Sequence, residues 1–180
     1  VLRTSLLQGA LITVRNNVFV GEKSLKLFEI GKVFNLKNEN IQSFADFTEE
    51  ERLSVILTGN AVDNVWYERN RLYDFYDLKG ILDSLFSKIG YKRVDYKKAE
   101  NSDTYYNGKI EIYVDNQLVG NCGYLSSQVL KKFDINQKVI FAEIWLEKLK
   151  NINIKSKKFK ELQKYPKVHR DMAFIVDKSV

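Results

Sequence analysis

The stretch LKLFEIGKVF, residues 25–34, decides the fold. Leu25, Leu27 and the β-branched Ile30 and Val33 make it a strand. Phe28 and Phe34 add aromatic bulk that suits a pleated, half-buried surface. Gly31 breaks the alternation, which in a strand marks a bulge or a close backbone approach. Upstream, Leu7, Ala10, Leu11, Val14 and Val18 recur at helical spacing, with Thr4 or Ser5 as N-cap candidates and Gly21 placed to end the helix. Helix and strand should pack on each other.

Working outward, residues 35–51 are polar and acidic and read as a hairpin connection or surface loop. LSVILT (53–58) is a near-continuous apolar run that suits a central strand, and Gly59-Asn60 signals a turn. Residues 61–76 gather Trp66, Tyr67, Tyr73, Phe75 and Tyr76 around Arg69 and Arg71. That mixture fits a segment pressed onto the core or onto a partner, and the same residues could stack on bases. Asp74 or Asp77 caps a second helix with an apolar stripe of Leu78, Ile81, Leu82, Leu85 and Ile89, ending at Gly90. Gly80 within it costs ~1 kcal/mol relative to Ala, and its expected use is to let the helix lie close to a strand.

Residues 91–96 read as a short strand. KIEIYV (109–114) and residues 117–124 form a hairpin around Asp115-Asn116, a two-residue turn of the primed kind. Ser126 or Ser127 starts a short helix through Phe133. VIFAEIWL (139–146) is the last core strand, followed by a helical turn at 147–150. The expected fold is α+β: an antiparallel sheet of about six strands, helices on one side, then a fragment of a second domain.

Composition narrows the class. At 180 residues the chain is one domain, or one plus a fragment of another, long enough to bury a core. A single cysteine, Cys122, forms no internal bridge and fits a reducing compartment. No run approaches the ~20 apolar residues of a spanning helix, and the chain opens on Val1 without a leader pattern. A cytoplasmic piece of something longer is the expectation. Net charge is +6, and residues 150–170 alone carry seven lysines and one arginine against Glu161, a balance of +7. The remainder is close to neutral, so the basic character belongs to one segment able to meet a phosphate backbone.

Exact letters say more. LFEIGKVF resembles the strand carrying the second signature motif of class II aminoacyl-tRNA synthetases, in the version of the phenylalanyl-tRNA synthetase β subunits. In working class II enzymes this strand ends with an aromatic residue, an arginine that grips ATP, and an acid two positions later. Phe34 keeps the aromatic place, while Asn35 stands for the arginine and Lys37 for the acid. A neutral amide supplies neither the charge nor the bidentate fork of a phosphate clamp. Asp77-Leu78-Lys79-Gly80 is similar to the DLKG that opens the equivalent helix in both subunits of that enzyme; Asp77 and Lys79 could be an active-site pair, and capping and solvation explain them as well. GYLSSQVLKKFDI resembles a segment that usually carries His-Pro where Ser126-Ser127 stand.

The strand at 139–146 occupies the place of the third class II motif, which is glycine-rich and ends in an ATP-holding arginine. Aligned so, Glu143 and Trp145 replace glycines and Lys148 replaces the arginine. A tryptophan fills the space glycine would leave for adenine, and a glutamate repels phosphates. KYPKVHRDMAFIVD resembles the first strand of the ferredoxin-like anticodon-binding domain of the bacterial β subunits.

The resemblance implies a catalytically inactive synthetase-like core at 1–150, a basic linker at 151–164, and a truncated anticodon-binding strand at 165–180. It implies docking on the catalytic α subunit in a heterotetramer of two α and two β, and help in placing tRNA(Phe). No catalytic residue, metal site or cofactor is expected here, since ATP and Mg²⁺ serve the assembled ligase. Lys155, Lys157, Lys158, Lys160, Lys164, Lys167 and Arg170 are the candidates for tRNA phosphate contact. Competing readings are a stand-alone RNA-binding module and a degenerate but active adenylate-forming domain. Cys122 and His169 read as a buried hydrophobe and a surface histidine rather than a nucleophile pair, and Glu49-Glu50-Glu51 as a solvated loop.

Overall fold

Central strands that are apolar on both faces need cover on both, and the chain provides it. The structure, a computed structural model, describes residues 2–37, 43, 46–62, 66, 70–101, 103–154 and 170–178. In chain order its elements are α1 (Leu7–Phe19), β1 (Leu25–Leu36), β2 (Phe47–Thr58), α2 (Phe75–Ile89), β3 (Val94–Lys98), β4 (Tyr106–Val114), β5 (Gln117–Leu125), α3 (Ser127–Lys132), β6 (Val139–Trp145) and α4 (Leu146–Lys150). Among the described residues one antiparallel sheet runs β1-β2-β6-β5-β4-β3. The expected α+β class and six strands are both present.

Helices on one side, however, is wrong. Leu78, Leu82 and Phe86 of α2 and Leu149 of α4 pack with Leu53, Val55, Leu57, Ile140, Ala142 and Ile144. On the opposite face α1 and α3 bring Leu7, Leu11, Val14, Val129 and Leu130 onto Ile56, Val139 and Phe141. The cause is legible in β6, buried at every position but its last. Such a strand can only sit between two layers.

β1 is an edge strand rather than the core of the sheet. Phe28 is 75% exposed and Ile30 60%, on the face that α2 leaves uncovered at this edge. Its pairing with β2 is also longer than the letters suggest, running without a break from Leu25↔Thr58 to Leu36↔Phe47. The acidic run at 49–51 is therefore strand, not loop. Lys32 pairs with the Glu49 carboxylate and Lys150 with Glu51, so opposite charges replace apolar contact on that surface. Gly31 makes no bulge. A Cβ there would meet the Arg3 guanidinium and lie 3.1 Å from Leu6, so the close approach is by side chains of the segment entering α1.

Local rules explain the remaining ends. Asp74 caps α2, and Asp77 returns the bond to the Asp74 N–H in a full capping box. Gly90 closes the helix at φ 119°. Gly80 departs from expectation: a Cβ built on it meets nothing within 4 Å among the described residues, so none of the described strands lies against it. Asp115 and Asn116 both have positive φ, as a primed turn demands. The strand expected at 91–96 begins only at Val94, because Tyr91 is buried and donates its hydroxyl to the Leu149 carbonyl at 2.7 Å. β4 starts earlier than expected, at Tyr106, with register shifts at 107–110 and 112–113. Ser126 caps α3.

Candidate functional site

The face beneath α1 carries the positions that the sequence marks as the degenerate nucleotide site. Along β2, Glu50, Arg52 and Ser54 alternate onto this face, opposite Val33, Gly31 and Glu29 of β1. From β6 come Glu143, opposite Ser54, and Trp145, opposite Arg52. Glu143 is 5% exposed, yet both its oxygens are bonded. One oxygen accepts from Ser5 Oγ at 2.9 Å and from the Leu6 N–H at 2.8 Å, and the other from Arg52 Nη1 at 2.8 Å. Arg52 reaches Glu50 with its second terminal nitrogen at 3.1 Å. A buried carboxylate needs this enclosure, since an unpaired one would cost several kcal/mol.

The segment leading into α1 is stitched to β1 as well. The Arg3 carbonyl accepts from the Phe34 N–H at 2.8 Å, while Arg3 Nε donates to the Lys32 carbonyl and Nη1 to Glu29. Trp145 lies between two cations, the Arg52 guanidinium 5.9 Å from the ring centre and the Lys148 ammonium 4.2 Å from it. Arg52 Nε and the Trp145 indole N–H are buried without a partner among the described residues.

Beside this cluster is a cavity of about 440 Å³, lined by Thr4, Ser5, Gln8, Tyr106, Asn121 and Glu143 among others. The Tyr106 hydroxyl donates to Asn121 Oδ1 at 2.7 Å. Burial first, then the Glu143 charge, pushes its pKa well above the ordinary phenol value. At the rim, burial works against the Asp103 carboxylate, but Lys109 and the neighbouring backbone N–H groups outweigh it and hold its pKa below the usual range.

Of the expected motif positions, Glu143, Trp145 and Lys148 come together. Phe34, Asn35 and Lys37 do not join them. Asn35 stands opposite Thr48, four residues along β2 from the Arg52 row, a separation of about 13 Å at the usual strand rise. Its carbonyl accepts from Thr48 Oγ1, and the Lys37 N–H bonds to Asp46. Phe34 alternates onto the opposite face. Of the basic candidates Arg170 is exposed. Lys155, Lys157, Lys158, Lys160, Lys164 and Lys167, with His169, lie outside the described residues. Met172, Phe174, Ile175 and Val176 are exposed, in a stretch with no helix or strand.

Sequence reasoning missed Arg52, Ser5 and the Leu6 N–H. The signal for Arg52 was present as a single arginine in an acidic run two residues before a buried serine, at strand spacing. Nothing local could have shown that Ser5 meets a residue 138 positions away. Cys122 is buried in mid-strand, its thiol pushed by burial up to about 12, which leaves no thiolate for nucleophilic work near neutrality. Among the described residues no helix is long and apolar enough to cross a membrane.

An antiparallel six-stranded sheet with helices on both faces is a class II synthetase-like fold. Pyrrolysyl-tRNA synthetase from Desulfitobacterium hafniense superposes with a TM-score of 0.60 at 16% identity, over 82% of this chain and 48% of that one. Residues 1–146 match the family described as the phenylalanyl tRNA synthetase beta chain CLM domain, and the chain belongs to that family. It is 32% identical to the phenylalanine–tRNA ligase β subunit of Fusobacterium nucleatum, 30% to that of Syntrophus aciditrophicus and 33% to that of Geobacillus kaustophilus. Each match covers the whole chain and 22% of the relative, so the chain spans about a fifth of those proteins' length.

Proposed function

We propose that this chain is the non-catalytic, synthetase-like module of a phenylalanine–tRNA ligase β subunit. In the cytoplasm it docks on the catalytic α subunit, in a heterotetramer of two α and two β, and helps to position tRNA(Phe) for aminoacylation. ATP and Mg²⁺ act in the assembled enzyme and not on this module. The observation that carries the reading is the closed bridge between Arg52 and Glu143.

A nucleotide triphosphate needs cations with free donors and open space over the sheet. Glu143 places a negative charge there, Arg52 is committed to two carboxylates, and Trp145 takes up volume. The residues present do not fit ATP. Lys148 keeps a positive charge, but its ammonium lies on the Trp145 ring. What the sequence retains is architecture: a stiff sheet with a partly uncovered edge and a basic segment leaving α4. Such a scaffold suits a subunit interface and phosphate contact better than chemistry.

The test mixes the chain with the catalytic α subunit of a relative, such as that of Geobacillus kaustophilus, and measures association by light scattering and ATP–pyrophosphate exchange by the chain alone. A stable complex and no exchange are expected. Exchange by the chain alone would restore the adenylate-forming reading. Binding of tRNA with no α-subunit complex would favour a stand-alone RNA-binding module. Charge reversal at Lys157 and Lys158 should lower tRNA affinity and flatten its salt dependence; unchanged affinity removes the role assigned to the basic segment.

A further inference from the structure

We propose that residues 3–6 form a strap that closes the cavity beneath α1, and that the Glu143 carboxylate is its latch. Thr4, Ser5, Leu7 and Gln8 line the cavity from the side of the strap and α1, and Tyr106, Asn121 and Glu143 from the sheet. The bonds from Ser5 and the Leu6 N–H tie the first side to the second.

Three observations single out Glu143. First, α1 begins badly on its own terms. Its N-cap, Leu6, offers no side-chain bond, and the first turn holds no acidic residue. Ser5 Oγ accepts from the Leu7 N–H, and the carboxylate favoured at a helix N-terminus arrives from β6, 137 residues away. Secondly, a buried ion pair is a poor way to gain stability, because well-packed apolar residues do as well or better. This one also leaves Arg52 Nε without a partner among the described residues. Its use is positional: one carboxylate fixes three segments, the strap, β2 and β6. Thirdly, the strap's ties to β1 fall on Arg3 alone among the described residues: its carbonyl and Nε hold the Phe34 N–H and the Lys32 carbonyl, and its ion pair is weak. Arg3 and Glu29 have side chains 37% and 38% exposed, so their bridge is screened by water. With Glu143 neutral, the strap and the first turn of α1 open while the sheet stays whole.

Amide hydrogen exchange followed by NMR tests this in three variants: Glu143→Gln, Ser5→Ala, and the double replacement Arg52→Met with Glu143→Leu. Glu143→Gln should speed exchange at Leu6 and Leu7 at least tenfold, with Leu57 in β2 and Ile140 in β6 unchanged. Ser5→Ala, which leaves the ion pair whole, should give a smaller rise of about threefold at the same amides. The double variant should open the strap as fully, with a melting temperature within a few degrees of the parent. Unchanged exchange at Leu6 and Leu7 in Glu143→Gln overturns the latch. So does acceleration of strap and core amides by the same factor, which marks an ordinary structural bridge. Should Glu143→Gln fail to fold, the double variant decides by the same two criteria.

Discussion

Arg52 and Glu143 sit on adjacent strands but one row apart: Arg52 stands opposite Trp145 and Glu143 opposite Ser54, and guanidinium and carboxylate meet diagonally at 2.8 Å. Neither is more than 14% exposed at its side chain. Replacing Arg52 with Ala strands the carboxylate in a site with little water. A loss of about 3–5 kcal/mol is expected, the range for breaking one side of a buried pair. Urea unfolding measures it; a loss under about 1 kcal/mol would mean that the pair is effectively solvated.

Gly80 predicts the opposite sign. It lies inside α2 in ordinary helical conformation, and an added Cβ meets nothing within 4 Å among the described residues. Gly80→Ala should therefore stabilise the chain by about 0.5–1 kcal/mol through helix propensity and a less flexible unfolded state. A raised urea midpoint with unchanged slope is the expected result. A lowered one would show that something within the chain uses the missing side chain.

The cap at the start of α2 is a separate test. Asp74 accepts from the Tyr76 and Asp77 N–H groups at 2.8 and 3.1 Å, and Asp77 holds Arg71 with both oxygens. Asp74→Ala should cost about 1 kcal/mol. The Arg71 hydrogen bond, against some burial, keeps the Asp77 pKa below its ordinary value. Its contribution is thus complete above the unfolded carboxylate pKa of ~4 and fades as pH falls through the lower folded value. Asp77→Asn should remove that part of the acid limb, and an identical limb in the variant would discard the assignment.

How much of this was legible follows from the range of the contacts. Period-two and helical patterns placed the strands and helices, because each depends on neighbours a few residues away. Phe28 and Ile30 misled, since an edge strand and a central strand share the same letters, and exposure is decided by what lies beyond the edge. The acidic run at 49–51 looked like loop until Lys32 and Lys150 supplied opposite charges across strands. At the site, Glu143, Trp145 and Lys148 were readable as departures from a pattern. Arg52, Ser5 and the Leu6 N–H were not, because their meeting with Glu143 is purely tertiary.

That exposed edge has a consequence in solution. Lys26, Phe28 and Ile30 lie on the outer half of β1 beyond the point where Arg3 bonds to Lys32 and Phe34. An apolar edge of this kind templates pairing with other chains. Phe28→Lys with Ile30→Lys should leave the unfolding free energy within about 0.5 kcal/mol of the parent, as surface changes do, and raise the concentration at which scattering first climbs. No gain in solubility would show that the edge is already protected.

Alkaline pH probes the other side of the sheet. Cys122 is fully buried in the cluster beneath α2, and burial pushes its thiol up to about 12. In the unfolded chain a thiol titrates near ~8.5. Below that pH both states hold the proton and stability is unaffected. Above it only the unfolded state releases the proton, so stability falls by ~1.4 kcal/mol per pH unit until the folded value is reached. Tyr96, whose pKa is raised by burial and then by the Asp83 carboxylate, adds a fall of the same sign above ~10. Urea midpoints between pH 8 and 10 should therefore decline more steeply in the parent than in Cys122→Ala, while the parent thiol reacts with an aromatic disulfide only on unfolding. Parallel slopes together with prompt reaction in the folded state would place Cys122 in contact with water and contradict the packing of β5 against α2.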